Sequence, residues 1–301
     1  YALTIAYTLL RYPYARIRIF YHSREIMKEL FGYSVYSFIS NIARQLRFHI
    51  DAFVITAFLG LSLVTHYNIG SRIAGYYLMI VVNAIALIKP VFSKLEGAGD
   101  FDQIRDKFIF SMKLNVILSV FMGGALLIYG KAFIMRWMGP EYIDSSHVLT
   151  ILTIGLVFGT MQTVPSALLY GISKHRFYSI AIVVEGLFNL LLSILLIRRY
   201  GILGVALGTT LPMIVNSILI IPVYTNKVIE FSMRRFTKAV SGTLLFCSLL
   251  HLISWFVVRN LIETNYIRLF TLALITSVFF VAASFFVLLN REERRYFRVP
   301  I

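Results

Sequence analysis

The chain has 301 residues, of which 58% are hydrophobic and 14% are charged, and its mean hydropathy is +0.78. This composition excludes an ordinary water-soluble domain and predicts an integral membrane protein. The formal net charge of +15 is compatible with nucleic-acid binding, but most of the basic residues fall in loops predicted to lie on one side of the membrane. The positive-inside rule makes that side cytoplasmic, so we expect contact with anionic lipid head groups and no nucleic-acid partner.

Apolar segments long enough to cross a hydrocarbon core of about 30 Å follow one another along the chain. There are eight of them, at residues 32–59, 64–92, 108–130, 148–172, 177–197, 202–224, 239–258 and 267–289. The predicted fold class is therefore all-α: a polytopic integral membrane helical bundle with about eight complete transmembrane helices. The apolar residues 1–10 have no initiator Met and no signal-peptide layout, and we interpret them as the end of a preceding transmembrane helix. On this interpretation the chain is the C-terminal portion of a longer protein.

The first of these segments contains "NIARQLRFHIDAFVITAFLG", residues 41–60. On an ideal helix Arg44, Arg47 and Asp51 fall within about 60° of one another, whereas His49 lies on another side. A charge this deep in a bilayer costs about 3 kcal/mol or more unless water or a partner compensates it. Two interpretations stay open: an Arg47–Asp51 ion pair with Arg44 reaching head groups, or a stripe that lines a water-filled cavity.

Three further helices carry polar residues at helical spacing. They are Asn68, Arg72 and Asn83 in the second segment, Gln162 and Ser166 in the fourth, and Glu185, Asn189 and Ser193 in the fifth. Such stripes would converge on a hydrated interior, although a tightly packed bundle with interhelical hydrogen bonds would use Asn, Gln and Ser in the same way. Glu185 is either a proton or sodium site or, as we favour, the neutralising partner of an arginine on a neighbouring helix.

Other chemistry-bearing residues point to structure. Asp100 and Asp102 in "EGAGDFDQIRDKF" form a D-x-D that resembles a metal site, but the acidic first turn of a surface helix explains them better. Cys247 is the sole cysteine, which excludes a disulfide framework and a thiolate metal site. We predict no catalytic residue and no metal ligand. Pro90, Pro165, Pro212 and Pro222 lie in or near apolar segments and are expected to kink or break helices.

Several motifs in this order resemble the polysaccharide-biosynthesis flippases, including O-antigen and exopolysaccharide exporters, of the multidrug/oligosaccharidyl-lipid/polysaccharide exporter superfamily. They are "DAFVITAFLG", "YNIGSRIAG", "PVFSKLEGAGD", "WMGPEY", "LLYGISKHRF" and "RRYGILGVALGT". The resemblance implies a two-lobe exporter fold, of which this chain supplies the second lobe. It divides the chain into the helix end 1–10, a cytoplasmic linker 11–30, the six-helix lobe 31–224, a cytoplasmic loop 225–238, two additional helices 239–289 and a cytoplasmic tail 290–301.

The resemblance further implies transfer of an undecaprenyl-diphosphate-linked oligosaccharide across the bacterial cytoplasmic (inner) membrane by alternating access, with no enzymatic activity. Arg44, Arg47 and Arg72 would bind the diphosphate, Asp51 and Glu185 would serve coupling or charge pairing, and Asn68, Asn83, Gln162 and Asn189 would line the cavity. No cofactor is expected, coupling to Na+ or H+ stays open, and partners would be membrane lipids, the lipid-linked oligosaccharide, a glycan polymerase and chain-length components.

Three alternatives compete with this function. A multidrug and toxin extrusion type antiporter shares the architecture, but cationic cargo calls for acidic cavity groups, whereas the deep charges here are mainly arginines. A lipid-II type peptidoglycan-precursor flippase would use the same arginines. A membrane enzyme of the glycan pathway would require a large outer loop, and the longest predicted one, "KAFIMRWMGPEYIDSSH", is short.

Overall fold

The structure, a computed structural model, describes residues 2–12, 23–262 and 265–295. Within these ranges the chain forms thirteen α-helices and no β-strand. The helices are α1 (Ala2–Arg11), α2 (Arg24–Leu59), α3 (Leu61–Ala86), α4 (Lys89–Gly97), α5 (Phe101–Trp137), α6 (Ile143–Gly159), α7 (Thr163–Gly171), α8 (Arg176–Tyr200), α9 (Ile202–Val215), α10 (Ile221–Ile229), α11 (Met233–Val258), α12 (Tyr266–Val287) and α13 (Arg291–Arg295). Parts of the predicted linker 11–30 and tail 290–301 lie outside the described residues.

Seven helical stretches in the described part of the chain are long and apolar enough to cross a membrane. They are Leu61–Gly97, Phe101–Trp137, Pro140–Gly171, Arg176–Tyr200, Ile202–Ile229, Met233–Val258 and Tyr266–Val287. The predicted class, a polytopic membrane helical bundle, is confirmed, and these stretches match the last seven predicted segments. The first predicted segment lies inside α2, where Ile50–Leu59 is a shorter apolar stretch that follows side chains outside the described part of the chain.

Helix α2 is continuous over 36 residues, or about 54 Å, and is therefore longer than the hydrocarbon core. It begins well before the predicted entry into the membrane, at an N-cap where the Ser23 side chain accepts a hydrogen bond from the Ile26 amide. Gly60 (φ 89°) then reverses the chain directly into α3. Since a single residue separates α2 from α3, distances from Gly60 give the relative depths of side chains on the two helices.

The acidic segment before α5 is a helix start, as predicted. Asp100 caps α5 and accepts a hydrogen bond from the Gln103 amide at 3.0 Å, while Asp102 pairs with Arg105 at 2.6 Å. The predicted separate surface helix is wrong, because no proline or cap interrupts residues 101–137 and the same helix continues to Trp137. Asp100 and Asp102 therefore stabilise the first turn of a spanning helix.

Two of the spanning stretches contain a break near the middle. A 3₁₀ turn at Thr160–Gln162 separates α6 from α7 and ends three residues before Pro165. A π-helical turn at Asn216–Ile220 separates α9, which contains Pro212, from α10. The predicted proline effect explains both positions, since proline removes a backbone hydrogen bond, and π-turns of this kind occur frequently at functional sites.

Helices α8 and α9 form a closely packed hairpin. Gly201 (φ 57°, ψ −139°) makes the turn in a conformation that suits glycine. A Cβ at Gly208 would lie 2.6 Å from the Ser193 backbone nitrogen, and one at Gly204 would lie 2.9 Å from the Ile197 nitrogen. The small-residue spacing thus brings the two backbones together, and it fixes the position of Ser193 opposite Thr209.

We expect Gly208→Ala to lower the melting temperature of the purified protein. The added methyl has no space, and overpacking of this kind costs about 1–3 kcal/mol, or several degrees for a chain of this size. Gly186→Ala on α8 is the matched control, because nothing lies within 4 Å of its Cβ position and alanine favours helix by up to about 1 kcal/mol. Equal melting temperatures for the two variants would contradict the close packing.

Charged contacts hold the helix ends together on the side predicted to be cytoplasmic. Lys113 on α5 pairs with Glu293 on α13 at 2.7 Å, and Arg235 pairs with Asp106 at 2.6 Å. The Arg105 Nε atom donates to the Ile229 carbonyl at 2.7 Å. These contacts connect α10, α11 and α13 to α5 and leave the interior of the bundle to the clusters described next.

Candidate functional site

A buried carboxylate joins three helices in the half of the bundle near Gly60. Asp51 on α2 is 1% exposed. Its Oδ2 atom accepts a hydrogen bond from the Tyr67 hydroxyl of α3 at 2.5 Å and one from Thr209 Oγ1 of α9 at 3.2 Å. A carboxylate in this environment needs such donors, because burying it alone is costly.

The same cluster continues onto α8. Asn189 Oδ1 lies 3.2 Å from Thr209 Oγ1 and accepts a second hydrogen bond from Ser193 Oγ at 3.0 Å. Thr209 Oγ1 also lies 3.3 Å from the Val205 carbonyl. A threonine hydroxyl has one hydrogen to donate, yet carboxylate, amide and carbonyl oxygens all lie within its reach. The cluster is therefore rich in acceptor oxygens, an arrangement that suits a hard cation or an additional proton.

A second buried cluster lies at the helix breaks and is centred on Glu185 of α8. Glu185 Oε2 accepts from Asn216 Nδ2 at 2.5 Å and from Gln162 Nε2 at 3.2 Å, and Gln162 also donates to Ser217 Oγ at 2.8 Å. Gln162 lies in the 3₁₀ turn, whereas Asn216 and Ser217 begin the π-turn. The carboxylate thus connects the two irregular segments of the bundle.

The predicted polar stripe on α8 connects both clusters. Glu185, Asn189 and Ser193 are four residues apart and all at least 96% buried, with exposures of 4%, 1% and 0%. The first belongs to the cluster at the helix breaks and the other two to the Asp51 cluster. A helix with this spacing keeps all three on one face, so α8 carries polar groups from the middle of the bundle toward the Gly60 end.

Sequence reasoning missed a third cluster, between α3, α5 and the 3₁₀ turn. Tyr77 and Thr160 each place a hydroxyl 2.6 Å from Ser119 Oγ, and Asn115 Nδ2 donates to the Thr160 carbonyl at 2.9 Å. Asn115 and Ser119 are four residues apart on α5, which is the same spacing signal as on α8. A hydropathy profile conceals it, since both residues are surrounded by apolar neighbours.

The structure describes the side chain of one of the three predicted arginine ligands, Arg72. Arg44 and Arg47 lie on α2, but their side chains, like that of His49, lie outside the described part of the chain. Arg72 and Asn83 are exposed on one face of α3, and Asn68 is half-buried there. Counted from Gly60, Arg72 is 12 residues away and Arg47 is 13, which places both backbones at about 18–20 Å along their helices.

Two connected cavities open toward the end of the bundle where α2, α4 and α8 begin. The deeper one, about 670 Å³, includes Gln162 in its wall, and the outer one is about 1080 Å³. Tyr33, Lys89 and Tyr170 line both. Of the predicted cavity residues, Gln162 therefore lines a cavity, whereas Asn189 is enclosed in the Asp51 cluster.

His175 closes the junction between α7 and α8 beside these cavities. The ring is 1% exposed, is stacked on Tyr170 at 4.5 Å, and places Nε2 within 3.3 Å of the Tyr33 carbonyl oxygen. Burial and, to a smaller extent, the charge of Lys89 lower the pKa of His175 from its usual 6.5. The imidazole is therefore neutral at pH 7.

We expect His175 to make the protein less stable as the pH falls. Because the folded pKa lies below the unfolded one, the unfolded chain takes up the proton first, and stability present above pH 6.5 is lost at lower pH. The melting-temperature advantage of wild type over His175→Phe should shrink from pH 7.5 to pH 5. His147, about half exposed beside Asp144, is the control, and an equal slope for His147→Phe would contradict the assignment.

The fold and the buried clusters define a multi-pass helical membrane protein whose interior contains polar and ionisable groups. The fold is similar to that of "Lipid II flippase MurJ, inward closed conformation", with a TM-score of 0.64, 18% sequence identity and coverage of 84% of this chain and 53% of that one. At this identity the likeness establishes the fold. The predicted fold, a polytopic helical bundle, is thus supported by the arrangement of the helices.

Sequence comparison adds a resemblance to one family. A family model described as "Polysaccharide biosynthesis protein" matches residues 2–147. The "Putative O-antigen transporter" of Shigella flexneri is 24% identical over 202 residues, which is 66% of this chain and 47% of that protein. The "Probable low-salt glycan biosynthesis flippase Agl15" of Haloferax volcanii is 25% identical over 192 residues, 64% of this chain and 41% of that protein. The predicted resemblance to the polysaccharide-biosynthesis flippases is confirmed, and the chain spans about half the length of these relatives.

Proposed function

We propose that this chain belongs to a flippase that moves a lipid-linked oligosaccharide, carried on undecaprenyl diphosphate, across the bacterial cytoplasmic membrane by alternating access. The product would serve O-antigen, capsule or exopolysaccharide biosynthesis. Relatives named as an O-antigen transporter and as a glycan flippase support the class of cargo. This chain aligns with less than half of the length of each of these two relatives. The activity is therefore proposed for the whole protein.

The observation that carries the proposal is the exposed Arg72 on α3. Its backbone lies about 18 Å from the Gly60 turn, near the middle of a core about 30 Å thick. An arginine at this depth requires water or an anion, and Arg44 and Arg47 follow at similar distances from the turn on α2. We propose that the three guanidinium groups bind the diphosphate, whose oxygens suit bidentate contacts.

We further propose that the Asp51 cluster couples transport to a cation, Na+ or H+. The oxygens of Asp51, Asn189 and Thr209 come from three helices, and a hard cation takes such carboxylate, amide and hydroxyl ligands. A bound cation would offset the charge of Asp51 and draw α2, α8 and α9 together. Glu185 is the second candidate for coupling, although its carboxylate already accepts hydrogen bonds from the Asn216 and Gln162 amides.

The test uses the full-length protein in proteoliposomes with a fluorescent polyprenyl-diphosphate oligosaccharide and a membrane-impermeant quencher. Protection of the probe with time, absent in protein-free vesicles, is the expected result. A lipid-II analogue and a cationic dye in parallel vesicles distinguish the alternatives. Faster movement of the lipid-II analogue would assign a peptidoglycan-precursor flippase, which the fold likeness favours as runner-up, and movement of the dye alone would assign a drug antiporter.

A further inference from the structure

The outer cavity, at the end of the bundle predicted to be cytoplasmic, has an excess of positive charge. Lys28, Lys89 and Arg176 stand exposed in its wall, against one carboxylate, Glu25, among the side chains that the structure describes there. Within the described residues none of the three cations forms an ion pair with a carboxylate. A concave surface with uncompensated positive charge concentrates anions.

Two helices begin in the wall of this cavity. Helix α4 starts at Lys89, but Pro90 has no N–H and the Val91 amide donates to the Ile88 carbonyl at 3.0 Å. The 25-residue α8 starts at Arg176 without a side-chain N-cap. The first amide groups of a helix lack intrahelical acceptors and lie at the positive end of the helix dipole. Backbone and side chains therefore favour a ligand of the same sign.

Within the described part of the chain, His175 leaves one ring nitrogen without a partner beside these cations. It lines the cavity and is 1% exposed, yet its Nδ1 atom has no hydrogen-bond partner. Buried side-chain nitrogens are rarely left without a partner. Arg176 also has unused donors. Among the described residues its guanidinium donates one hydrogen bond, to the Tyr36 hydroxyl at 3.2 Å, whereas a guanidinium has five N–H donors.

The outer cavity leads into the bundle. Lys89 and Tyr170 belong to its wall and to that of the deeper cavity, whose inner wall reaches Gln162 of the Glu185 cluster. The Lys89 Nζ atom lies 5.3 Å from the centre of the Tyr170 ring. A ligand held by the cations at the rim would thus be placed at the start of a path toward the buried polar groups.

We propose that Lys89 and Arg176 form a loading site that binds the phosphate or diphosphate of a lipid head group at the surface of the membrane, before the head group enters the bundle. The Arg176 fork and the Lys89 ammonium bind the phosphate oxygens, and the uncapped start of α8 adds backbone donors. The Nδ1 atom of neutral His175 can accept a hydrogen bond from a hydroxyl group of the same ligand. The inference rests on the proposed function, since a flippase must first collect its cargo from one leaflet. The phosphate can come from the cargo or from an anionic bilayer lipid.

The test is a binding titration on the full-length protein in phosphatidylcholine nanodiscs, with polyprenyl diphosphate as the probe and native mass spectrometry as the readout. Lys89→Ala/Arg176→Ala should bind on the order of tenfold or more weakly, because hydrogen bonds to charged groups each contribute roughly 1.5–3 kcal/mol. Lys94→Ala/Lys174→Ala is the matched control. Lys94 is exposed on α4, the helix of Lys89, and Lys174 is exposed two residues before Arg176, but neither lines the cavity. We therefore expect binding to change by less than about twofold.

A second titration with phosphatidylglycerol distinguishes the two sources. Tighter binding of polyprenyl diphosphate, lost in the cavity variant, assigns the cargo, whereas tighter binding of phosphatidylglycerol with the same loss assigns a bilayer lipid to the site. Unchanged binding in the cavity variant, or an equal loss in the control, overturns the proposal. Translocation by wild type is measured separately, so a protein that binds through Lys89 and Arg176 but moves no lipid would refute the proposed function and leave the site standing.

Discussion

Asp51→Asn is expected to reduce translocation at least about tenfold in protein that remains folded. Asparagine keeps the size of the side chain and one acceptor oxygen, but it removes the charge that would hold a cation or a proton among Tyr67, Thr209 and Asn189. Loss of a charge-assisted contact of this kind corresponds to about 1.5–3 kcal/mol, or more than a tenfold change. The measurement is the initial rate in proteoliposomes, with and without imposed gradients of Na+ and of pH.

The gradient that accelerates wild type identifies the coupling ion, and Asp51→Asn should not respond to it. Asp144→Asn is the control, since Asp144 is about half exposed in the first turn of α6. A variant of Asp51 that translocates at the wild-type rate and responds to the same gradient would remove this residue from coupling and return it to packing.

Glu185→Leu is expected to have a large effect on stability. The substitution leaves the Asn216 amide buried without the Glu185 acceptor, at about 1–3 kcal/mol. It also removes one of the two hydrogen bonds that the Gln162 amide donates. It also disconnects the 3₁₀ turn from the π-turn. We expect a melting temperature lower by several degrees and a lower yield of folded protein.

Glu185→Gln distinguishes structure from coupling at the same position. Glutamine retains an acceptor oxygen for Asn216 while removing the charge, so a structural role predicts near wild-type stability and a translocation rate within a few-fold of wild type. If Glu185→Gln is folded but inactive, the charge itself is required, and Glu185 is a coupling group.

The spanning segments could be predicted because an apolar run long enough for a bilayer is a local property of the sequence. The α8 stripe was visible for the same reason, since four-residue spacing alone places Glu185, Asn189 and Ser193 on one face. The entry of α2 into the membrane near residue 32 stays a prediction, and the helix itself begins earlier, at Arg24. A hydropathy profile does not show that Ser23 starts the helix earlier.

The partners of the buried groups could not be predicted. Asp51 and Thr209 are 158 positions apart, and only the packing of α2 on α8 and α9 brings them together. Periodicity suggested Arg47 as the partner of Asp51, and that pairing stays a prediction because the arginine side chain is not described. The 3₁₀ and π-turns were likewise unpredictable in type, although the prolines indicated where helices would break.

The central claim is that Arg72, exposed about halfway along α3, binds an anionic lipid head group. The most direct test compares Arg72→Ala with Arg199→Ala in the proteoliposome assay with polyprenyl-diphosphate oligosaccharide. Both variants lose one exposed arginine, but Arg199 lies in the last turn of α8, at the edge of the membrane. We predict that Arg72→Ala loses about tenfold or more of the rate while Arg199→Ala stays within a factor of about two. Equal rates for the two variants would contradict the claim, provided that both variants are folded and that wild type translocates the probe.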